Sequence, residues 1–486
     1  MNGLLERYQG MSQGQKILFW VVTVILLVAI IFGIAQLFNK PVARVVVDNT
    51  PVTLTWRKPF YTQNDYQDII NDFRKIYPNI SIELETVSQA EFGDGIPYYQ
   101  RLVSDFAIDN PPDIFSISNS DLAAVSQFMT PIDYYKGDAL AKYKEDFVDV
   151  AVAETMQLNK VYAITSYVDN LQMYYNKDIL QQSGIAIPAK NWEEVKIQAK
   201  ILNRRDTRNN FVQHAIGMGT AMPGNNPRGK DIIPTLIMQN RGVIYDRQSG
   251  SVGLGQPRSA DLSNLAKTTA GDFKLTDTKD NPTLDAIRFY ADFANPTSDL
   301  YSWNRDSENT EDSFIGGKTA YLIGYSYLKD VIEARNPNLK FETTTLPQLN
   351  ENYKKTMANF FMDGMGKHLS EPANASKRKA AEAFLVFLAS KESQTKFTSK
   401  TRTPPARKDI IADIKSQNSN IYIRTFADGS LYADNYYRPT MCTDRIWIDM
   451  LDNYQTKGTD LNSTITEAVN RYRTLVSIGP KIVTTC

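Results

Sequence analysis

The chain has 486 residues, of which 42% are hydrophobic and 22% are charged. This composition is typical of a globular protein and argues against disorder or a fibrous repeat, and the length predicts two or more folded units. Basic and acidic residues number 54 each, so no net charge favours nucleic acid or an anionic surface as a partner. The 26 tyrosines would suit a site for polar ligands, although most of them are expected to pack in the interior.

An uncharged run of 22 residues, Ile17–Phe38, lies near the N-terminus. A helix of about 20 apolar residues spans the hydrocarbon core of a bilayer, and a secretory signal has a shorter apolar stretch. The run therefore predicts an uncleaved transmembrane anchor, with residues 1–16 as a cytoplasmic segment and 39–50 as a tether. Gly33-Ile34-Ala35 leaves cleavage open as an alternative, and basic residues on both sides of the run leave its orientation open.

Strands and helices alternate after the tether. The predicted order is strand Val52–Trp56, helix Asn64–Ile76, strand Ile80–Val87, helix Tyr98–Ile108 and strand Asp113–Ser118. Such alternation is typical of a parallel sheet covered by helices. Val161–Tyr175 is then predicted to be an extended crossing segment, and residues 246–282 a long surface excursion. Further elements are predicted at Trp192–Leu202, Ala215–Gly219, Leu284–Phe293, Thr319–Ile323, Lys377–Ala389, Arg445–Tyr454 and Ser463–Val476.

The sequence lacks the usual marks of an enzyme. Its two histidines, His214 and His368, belong to no ligand-spaced pair, and no nucleophile or dinucleotide motif is present. Gly316-Gly317-Lys318-Thr319 fails as a phosphate-binding loop because Asp312 stands where the motif needs glycine. No cofactor and no metal site are expected. If the domain is exported, Cys442 and Cys486 are expected to form a disulfide, with two unrelated thiols as the alternative.

Several spaced segments carry a family resemblance. They begin with Val52–Val87 and continue with Asn110–Phe115 and the segment FMTPIDY at 128–134. The most specific is Val161–Leu202, where Tyr174-Tyr175-Asn176-Lys177-Asp178 is followed by Gly184-Ile185 and Trp192-Glu193-Glu194; later matches are Phe314–Ala320, Ala380–Gln394 and Thr403–Arg407. In this order the segments resemble the bacterial extracellular solute-binding proteins of the maltose-binding-protein class. The resemblance covers roughly residues 50 to 425 and is interrupted near 246–282.

The resemblance implies an α/β, two-lobe periplasmic-binding-protein-like fold of type II. In the sequence this fold would follow the predicted N-terminal transmembrane helix. Lobe 1 would comprise residues 51–163 and 366–415, and lobe 2 residues 164–365 and 416–486. The chain would cross between them near Ala163–Asn170 and Phe361–Gly366, which makes Ala163, Asn170, Phe361 and Gly366 hinge candidates. The implied function is capture of a small polar ligand, a sugar, for an ABC permease, outside the cytoplasm and without nucleic acid.

Residues at strand ends are expected to contact the ligand, since ligands bind beyond the carboxyl ends of parallel strands. The strand-end candidates are Phe60, Tyr61, Ser118, Asn119, Thr220, Tyr325 and Tyr327. The other candidates are Tyr167 and Asp169 on the first crossing, Asp363 on the return crossing, and Trp303 in a polar loop. Aromatic faces would stack on sugar C–H surfaces, while the polar groups would bond to hydroxyls. Two other functions stay open: a tethered sensor or adhesion module with the same cleft, and a cell-surface glycosidase, because sequence does not exclude a catalytic carboxylate pair.

Overall fold

The computed structural model describes residues 12–16, 20, 22–23, 44–87, 98–264, 273–275, 279–417, 420–439 and 443–479. The chain divides into two compact units, Met1–Arg44 and Val45–Cys486. Among the described residues, no helix combines the length and apolar character needed to cross a membrane. Most of Ile17–Phe38, together with Cys442 and Cys486, lies outside the described residues. The anchor and the disulfide therefore stay predictions, and intact mass before and after reduction tests the disulfide.

The strands of the second unit are numbered here in chain order. They are β1 (Val52–Lys58), β2 (Ile80–Thr86), β3 (Ile114–Ser118), β4 (Met129–Thr130), β5 (Met156–Gln157), β6 (Lys160–Val161), β7 (Ala163–Ile164), β8 (Asp169–Asn170), β9 (Gln172–Asn176), β10 (Arg204–Arg205), β11 (Phe211–Ile216), β12 (Tyr245–Asp246), β13 (Ser251–Val252), β14 (Thr319–Gly324), β15 (Phe341–Thr344), β16 (Thr356–Asn359), β17 (Phe361–Gly366) and β18 (Ala433–Asp434).

The α-helices alternate with these strands along the chain. They span Gln63–Ile76, Tyr98–Ala107, Leu122–Val125, Asp138–Asp146, Asp149–Thr155, Lys177–Gln182, Trp192–Leu202, Gly229–Gln239, Pro282–Asp292, Thr310–Ile315, Leu328–Arg335, Ala375–Leu388, Lys391–Thr401, Lys408–Ser416, Ile421–Ser430, Thr443–Lys457 and Leu461–Ile478. The predicted α/β alternation is thus confirmed.

The first sheet has the strand order β2-β1-β3-β17-β4, with β7 also paired to β17. β1 is parallel to β2 and β3, whereas β17 is antiparallel to β3, so a late strand joins a sheet made by the start of the domain. The helix Gln63–Ile76 covers it because its apolar residues recur at helical spacing and bury Tyr66, Ile69, Ile70 and Phe73. On this face of the sheet, the Trp56 ring of β1 lies 4.6 Å from the Tyr66 ring of that helix and 5.0 Å from the Phe384 ring.

The second sheet has the order β10-β11-β14-β9-β15, and a small third sheet has the order β18-β16-β8. The predicted crossing segment Val161–Tyr175 is confirmed as extended: β7 lies in the first sheet, β8 in the third and β9 in the second. The return passes from β15 through β16 to β17. Two stretches of chain thus connect the large sheets side by side, since β8 and β16 pair antiparallel.

Two sequence predictions were wrong in detail. The strand predicted at Ala215–Gly219 is β11, which ends at Ile216; Gly219 adopts a φ of +99°, a conformation that breaks an extended strand. The excursion predicted at 246–282 does not lie wholly on the surface, because Val252 and Leu254 are each 1% exposed. These side chains belong to the hydrophobic core beside the second sheet. The sequence does not indicate their burial, because the residues around them are hydrophilic.

Candidate functional site

Four aromatic side chains meet where the chain crosses between the two large sheets. The ring centroids of Phe60 and Phe361 are 5.2 Å apart, and those of Tyr61 and Tyr167 are 5.7 Å apart. The Phe361 amide donates a hydrogen bond to the Tyr167 hydroxyl (3.3 Å), which joins the two pairs. Tyr61 has a φ of +68°, a strained conformation for a tyrosine that is often found at functional sites. The predicted residues Phe60, Tyr61 and Tyr167 are therefore brought together.

Asp169 fastens the crossing strand β8 to the loop that follows β14. Its carboxylate accepts hydrogen bonds from the Ser326 amide (3.0 Å), the Ser326 hydroxyl (2.8 Å) and the Asn170 amide (2.8 Å). Ser326 stands between Tyr325 and Tyr327, two further predicted ligand residues. The buried carboxylate of Asp169 thus positions the loop that carries both tyrosines.

The pKa of Asp169 makes folding stability depend on pH. Burial raises this pKa from 3.8 to about 6, although the Ser326 hydrogen bonds oppose the rise. The native state therefore holds the proton more tightly than the unfolded chain, and this stabilisation is present below about pH 4 and lost as the pH rises through about 6. We expect the free energy of unfolding of the wild type, measured relative to that of Asp169→Asn, to fall by about 3 kcal/mol as the pH rises from about 4 to above about 6. Denaturant unfolding of both proteins measures it, and a difference independent of pH would contradict the expectation.

Arg228 lies against the same loop. Its guanidinium carbon is 5.3 Å from the Tyr325 ring centroid and 5.7 Å from that of Tyr327. It also donates a hydrogen bond to the Tyr327 hydroxyl and pairs with Glu311 at 3.3 Å. Arg228 immediately precedes the helix Gly229–Gln239, which fixes its backbone. Sequence reasoning missed Arg228 and Glu311, since neither belongs to a motif whose spacing indicates a ligand contact.

Ser118 and Asn119 adjoin this group on the side of the first sheet. Ser118, at the end of β3, is opposite Phe361 in the strand register. The Asn119 amide donates to the Phe360 carbonyl (2.9 Å), and its side chain is fully buried. We call the assembled residues the crossing cluster: Phe60, Tyr61, Ser118, Asn119, Tyr167, Asp169, Arg228, Glu311, Tyr325, Tyr327 and Phe361.

Asp363, another predicted ligand residue, lies inside the first sheet and outside the crossing cluster. Both of its carboxylate oxygens are 2.8 Å from the Lys58 ammonium, and the Trp56 indole donates to it at 3.0 Å. The Ser116 hydroxyl donates to it as well. Burial lowers the pKa of Lys58, and Asp363 opposes that shift. Side chains along β17 alternate between the two faces of the sheet, and that of Asp363 lies on the covered face. There its carboxylate bonds to Lys58, Trp56 and Ser116.

Thr220 and Trp303 also lie outside the crossing cluster. Both donate a hydrogen bond to the Asn225 side-chain oxygen, Thr220 at 2.5 Å and Trp303 at 3.1 Å. The Trp303 ring is fully buried against His214, with their ring centroids 4.5 Å apart. The polar sequence around Trp303 suggested an accessible loop, but the loop folds its tryptophan inward.

The four hinge candidates lie on the crossing strands. Ala163 is in β7, Asn170 in β8, and Phe361 and Gly366 begin and end β17. Asn170 is fully buried, and its amide donates to the Phe426 carbonyl (2.9 Å). Gly366 has no room for a Cβ, which would lie 2.6 Å from the His368 ring. Their role as hinges stays a prediction.

Comparison with known proteins places the chain in a family. A family model described as bacterial extracellular solute-binding protein matches residues 60–395. A binding protein of Brucella abortus (strain 2308) is 22% identical over 350 residues, which are 71% of this chain and 73% of that protein.

Solved structures share the fold. A cyclic alpha-maltosyl-1,6-maltose binding protein from Arthrobacter globiformis aligns with a TM-score of 0.66 at 14% identity, covering 88% of this chain and 100% of that one. UgpB from Mycobacterium tuberculosis, in complex with glycerophosphocholine, aligns with a TM-score of 0.65 at 17% identity, covering 88% and 99%. The α/β architecture is therefore that of the two-lobe binding proteins. Since the family model spans more than half of its residues, the chain belongs to the bacterial extracellular solute-binding protein family.

Proposed function

We propose that this chain captures a small polar ligand, a carbohydrate, outside the cytoplasm and delivers it to an ABC importer. The observation that carries the proposal is the crossing cluster, which collects aromatic faces and charged hydrogen-bonding groups beside the strands that connect the large sheets. Clefts between lobes are favoured ligand sites, and their closure excludes water from polar contacts. In this proposal the lobes have the bounds predicted from the sequence.

The side chains of the crossing cluster suit a ligand with hydroxyl groups and apolar C–H faces. Tyr327 is 46% exposed and Phe60 is 37% exposed, so their rings are open to stacking. Arg228 offers guanidinium donors, and Glu311, which bonds to Arg228 through Oε1, offers its second carboxylate oxygen as an acceptor. Two of the similar solved proteins are a cyclic alpha-maltosyl-1,6-maltose binding protein and UgpB in complex with glycerophosphocholine. Both ligands are small and polar, which supports the same class here.

Binding is favoured over glycoside hydrolysis. A glycosidase needs two carboxyl groups that flank the scissile bond, one to donate a proton and one to act as base or nucleophile. In the crossing cluster, the Asp169 carboxylate accepts hydrogen bonds from Ser326 and Asn170, and Glu311 forms an ion pair with Arg228. Both carboxyl groups thus have partners within the protein, and the family is one of binding proteins.

We further propose that Ile17–Phe38 anchors the chain in the membrane, with residues 1–16 in the cytoplasm and the binding domain outside. The support is the uncharged length of the run, which matches a bilayer core. Alkaline extraction of membranes tests the anchor. The full chain should stay with the membranes and a chain beginning at Val45 should be released; release of both would reject the anchor.

The ligand class is tested by calorimetry against a panel of mono- and oligosaccharides. For a carbohydrate that binds, Tyr327→Ala is expected to weaken affinity by about 1–3 kcal/mol, because an exposed stacking face and a hydrogen-bonding hydroxyl are lost. Tyr353→Ala is the matched control: its ring also lies beside an arginine, 5.1 Å from Arg241, but outside the crossing cluster.

The two possible failures have different meanings. If no carbohydrate of the panel binds, the ligand class is wrong. If a carbohydrate binds and Tyr327→Ala matches Tyr353→Ala, the proposed site is wrong.

A further inference from the structure

A short β-hairpin projects from the part of the chain where the family resemblance is interrupted. Its strands are β12 and β13, paired antiparallel. The Asp246 carboxylate accepts hydrogen bonds from the amides of Gln248 (3.0 Å) and Ser249 (3.2 Å), and Gly250 closes the turn with a φ of +74°. These bonds hold the tip in one shape, so Arg247 is presented from a fixed position.

The base of the hairpin is part of the core beside the second sheet. Val252 and Leu254 are buried in that core, and the Tyr245 ring packs on Tyr437, with centroids 4.7 Å apart. The Tyr437 carbonyl accepts a hydrogen bond from Tyr472 on the last described helix (2.6 Å). The hairpin therefore moves with the second predicted lobe.

Arg247 forms an ion pair with Glu154, which belongs to the other side of the cleft. Glu154 lies on the helix Asp149–Thr155. Backbone bonds before and after that helix tie it to the first predicted lobe: the Val148 amide donates to Ala406 (2.9 Å), and the Ile132 amide donates to Val161 (2.8 Å). The pair thus joins the two predicted lobes directly.

The pair is shielded from water on the glutamate side. The Glu154 side chain is only 6% exposed, and that of Arg247 is 44% exposed. Other charges that act on Glu154 are Arg438, which is attractive, and Asp434, which is repulsive. A second polar contact between the lobes lies beside them, since the Asn435 amide donates to the Ser120 hydroxyl at 3.4 Å.

A different ion pair between the predicted lobes offers a comparison. Arg402, which ends the helix Lys391–Thr401, is 2.9 Å from Asp330 on the helix Leu328–Arg335. Their side chains are 51% and 61% exposed. Exposed pairs contribute little because water screens them, whereas removing one partner of a buried pair leaves an uncompensated charge. The Glu154 pair is therefore the stronger link.

We propose that the hairpin Tyr245–Val252 is a latch that favours the closed arrangement of the lobes through Arg247 and Glu154. The proposal rests on the proposed function only in taking the space between the lobes as the ligand cleft. The latch would add to the closing tendency whatever ligand is bound, and it would raise affinity by lowering the population of open molecules.

Hydrogen–deuterium exchange of the full chain in detergent, with no ligand added, tests the latch. In Arg247→Gln, amides of Asp149–Thr155 and of residues 433–438 are expected to exchange about tenfold faster or more, because open molecules become more populated. Glu154→Gln should have the same effect, and the double variant should add little to either single one. Arg402→Gln is the matched control and should leave these amides unchanged.

Two results would overturn the latch. One is unchanged exchange in Arg247→Gln. The other is an equal acceleration within the lobes, in Ala375–Leu388 and in β14, since the pair would then support folding and not the closure of the cleft. Neither result depends on a ligand, so failure of the latch is distinct from failure of the proposed function.

Discussion

Replacement of Asp363 by alanine is expected to destabilise the domain by about 3–5 kcal/mol, because it leaves a buried lysine without its counter-charge. Lys58 is 4% exposed, and its ammonium bonds to both carboxylate oxygens of Asp363. The change also removes the acceptor of the Trp56 indole and of the Ser116 hydroxyl. Denaturant unfolding followed by far-ultraviolet circular dichroism measures the loss.

Two further variants make this result specific. Asp330→Ala removes an exposed carboxylate that is also paired, and it should cost no more than about 1 kcal/mol. The double variant Lys58→Met with Asp363→Leu replaces both charges by apolar groups and should recover most of the lost stability. A loss below about 1 kcal/mol in Asp363→Ala would show that water reaches the lysine and that the site is open.

Replacement of Trp303 by alanine is expected to cost about 3–5 kcal/mol of stability, because it empties a large, fully buried volume. The ring is 0% exposed and packs on His214, and its indole bonds to Asn225. A ligand cannot stack on a ring with no accessible face, so any effect on binding should follow from unfolding. Unfolding and binding measured on the same protein separate the two effects.

Phe60→Ala is the matched control for this tryptophan. Phe60 is 37% exposed and lies in the crossing cluster, so it should lose ligand affinity with little loss of stability. Trp303→Ala should show a large loss of stability, and the molecules that are still folded should keep their ligand affinity. If Trp303→Ala kept full stability but lost affinity, the buried position of the ring would be wrong.

The secondary structure and the family could largely be read from the sequence. The helix Trp192–Leu202 has its predicted bounds, and Gln63–Ile76 differs by one residue at its start. A helix or strand that buries one side has apolar residues at regular spacing along the chain, so the sequence alone indicates these elements. The segments from Val52 to Arg407 likewise indicated a solute-binding protein, which the match over residues 60–395 confirms.

Part of the candidate site also followed from local reasoning. Phe60, Tyr61, Tyr167, Tyr325 and Tyr327 come together because strand ends converge where the chain crosses. The sequence could not show which strand-end residues turn inward. Trp303 and Thr220 are buried, and both bond to the side-chain oxygen of Asn225, which lies in the same loop as Thr220 and far from Trp303 in the sequence.

What the sequence by itself determined is therefore the order of elements, the family and the kinds of side chain available for a polar ligand. What only the tertiary structure decided is which charges meet. Lys58 and Asp363 are 305 positions apart in the chain, and Glu154 and Arg247 are 93 apart. In the sequence alone, each of these four charged residues is a candidate for binding a ligand. The packing of distant segments removes water from Lys58, Asp363 and Glu154, and a desolvated charge must find its partner within the fold.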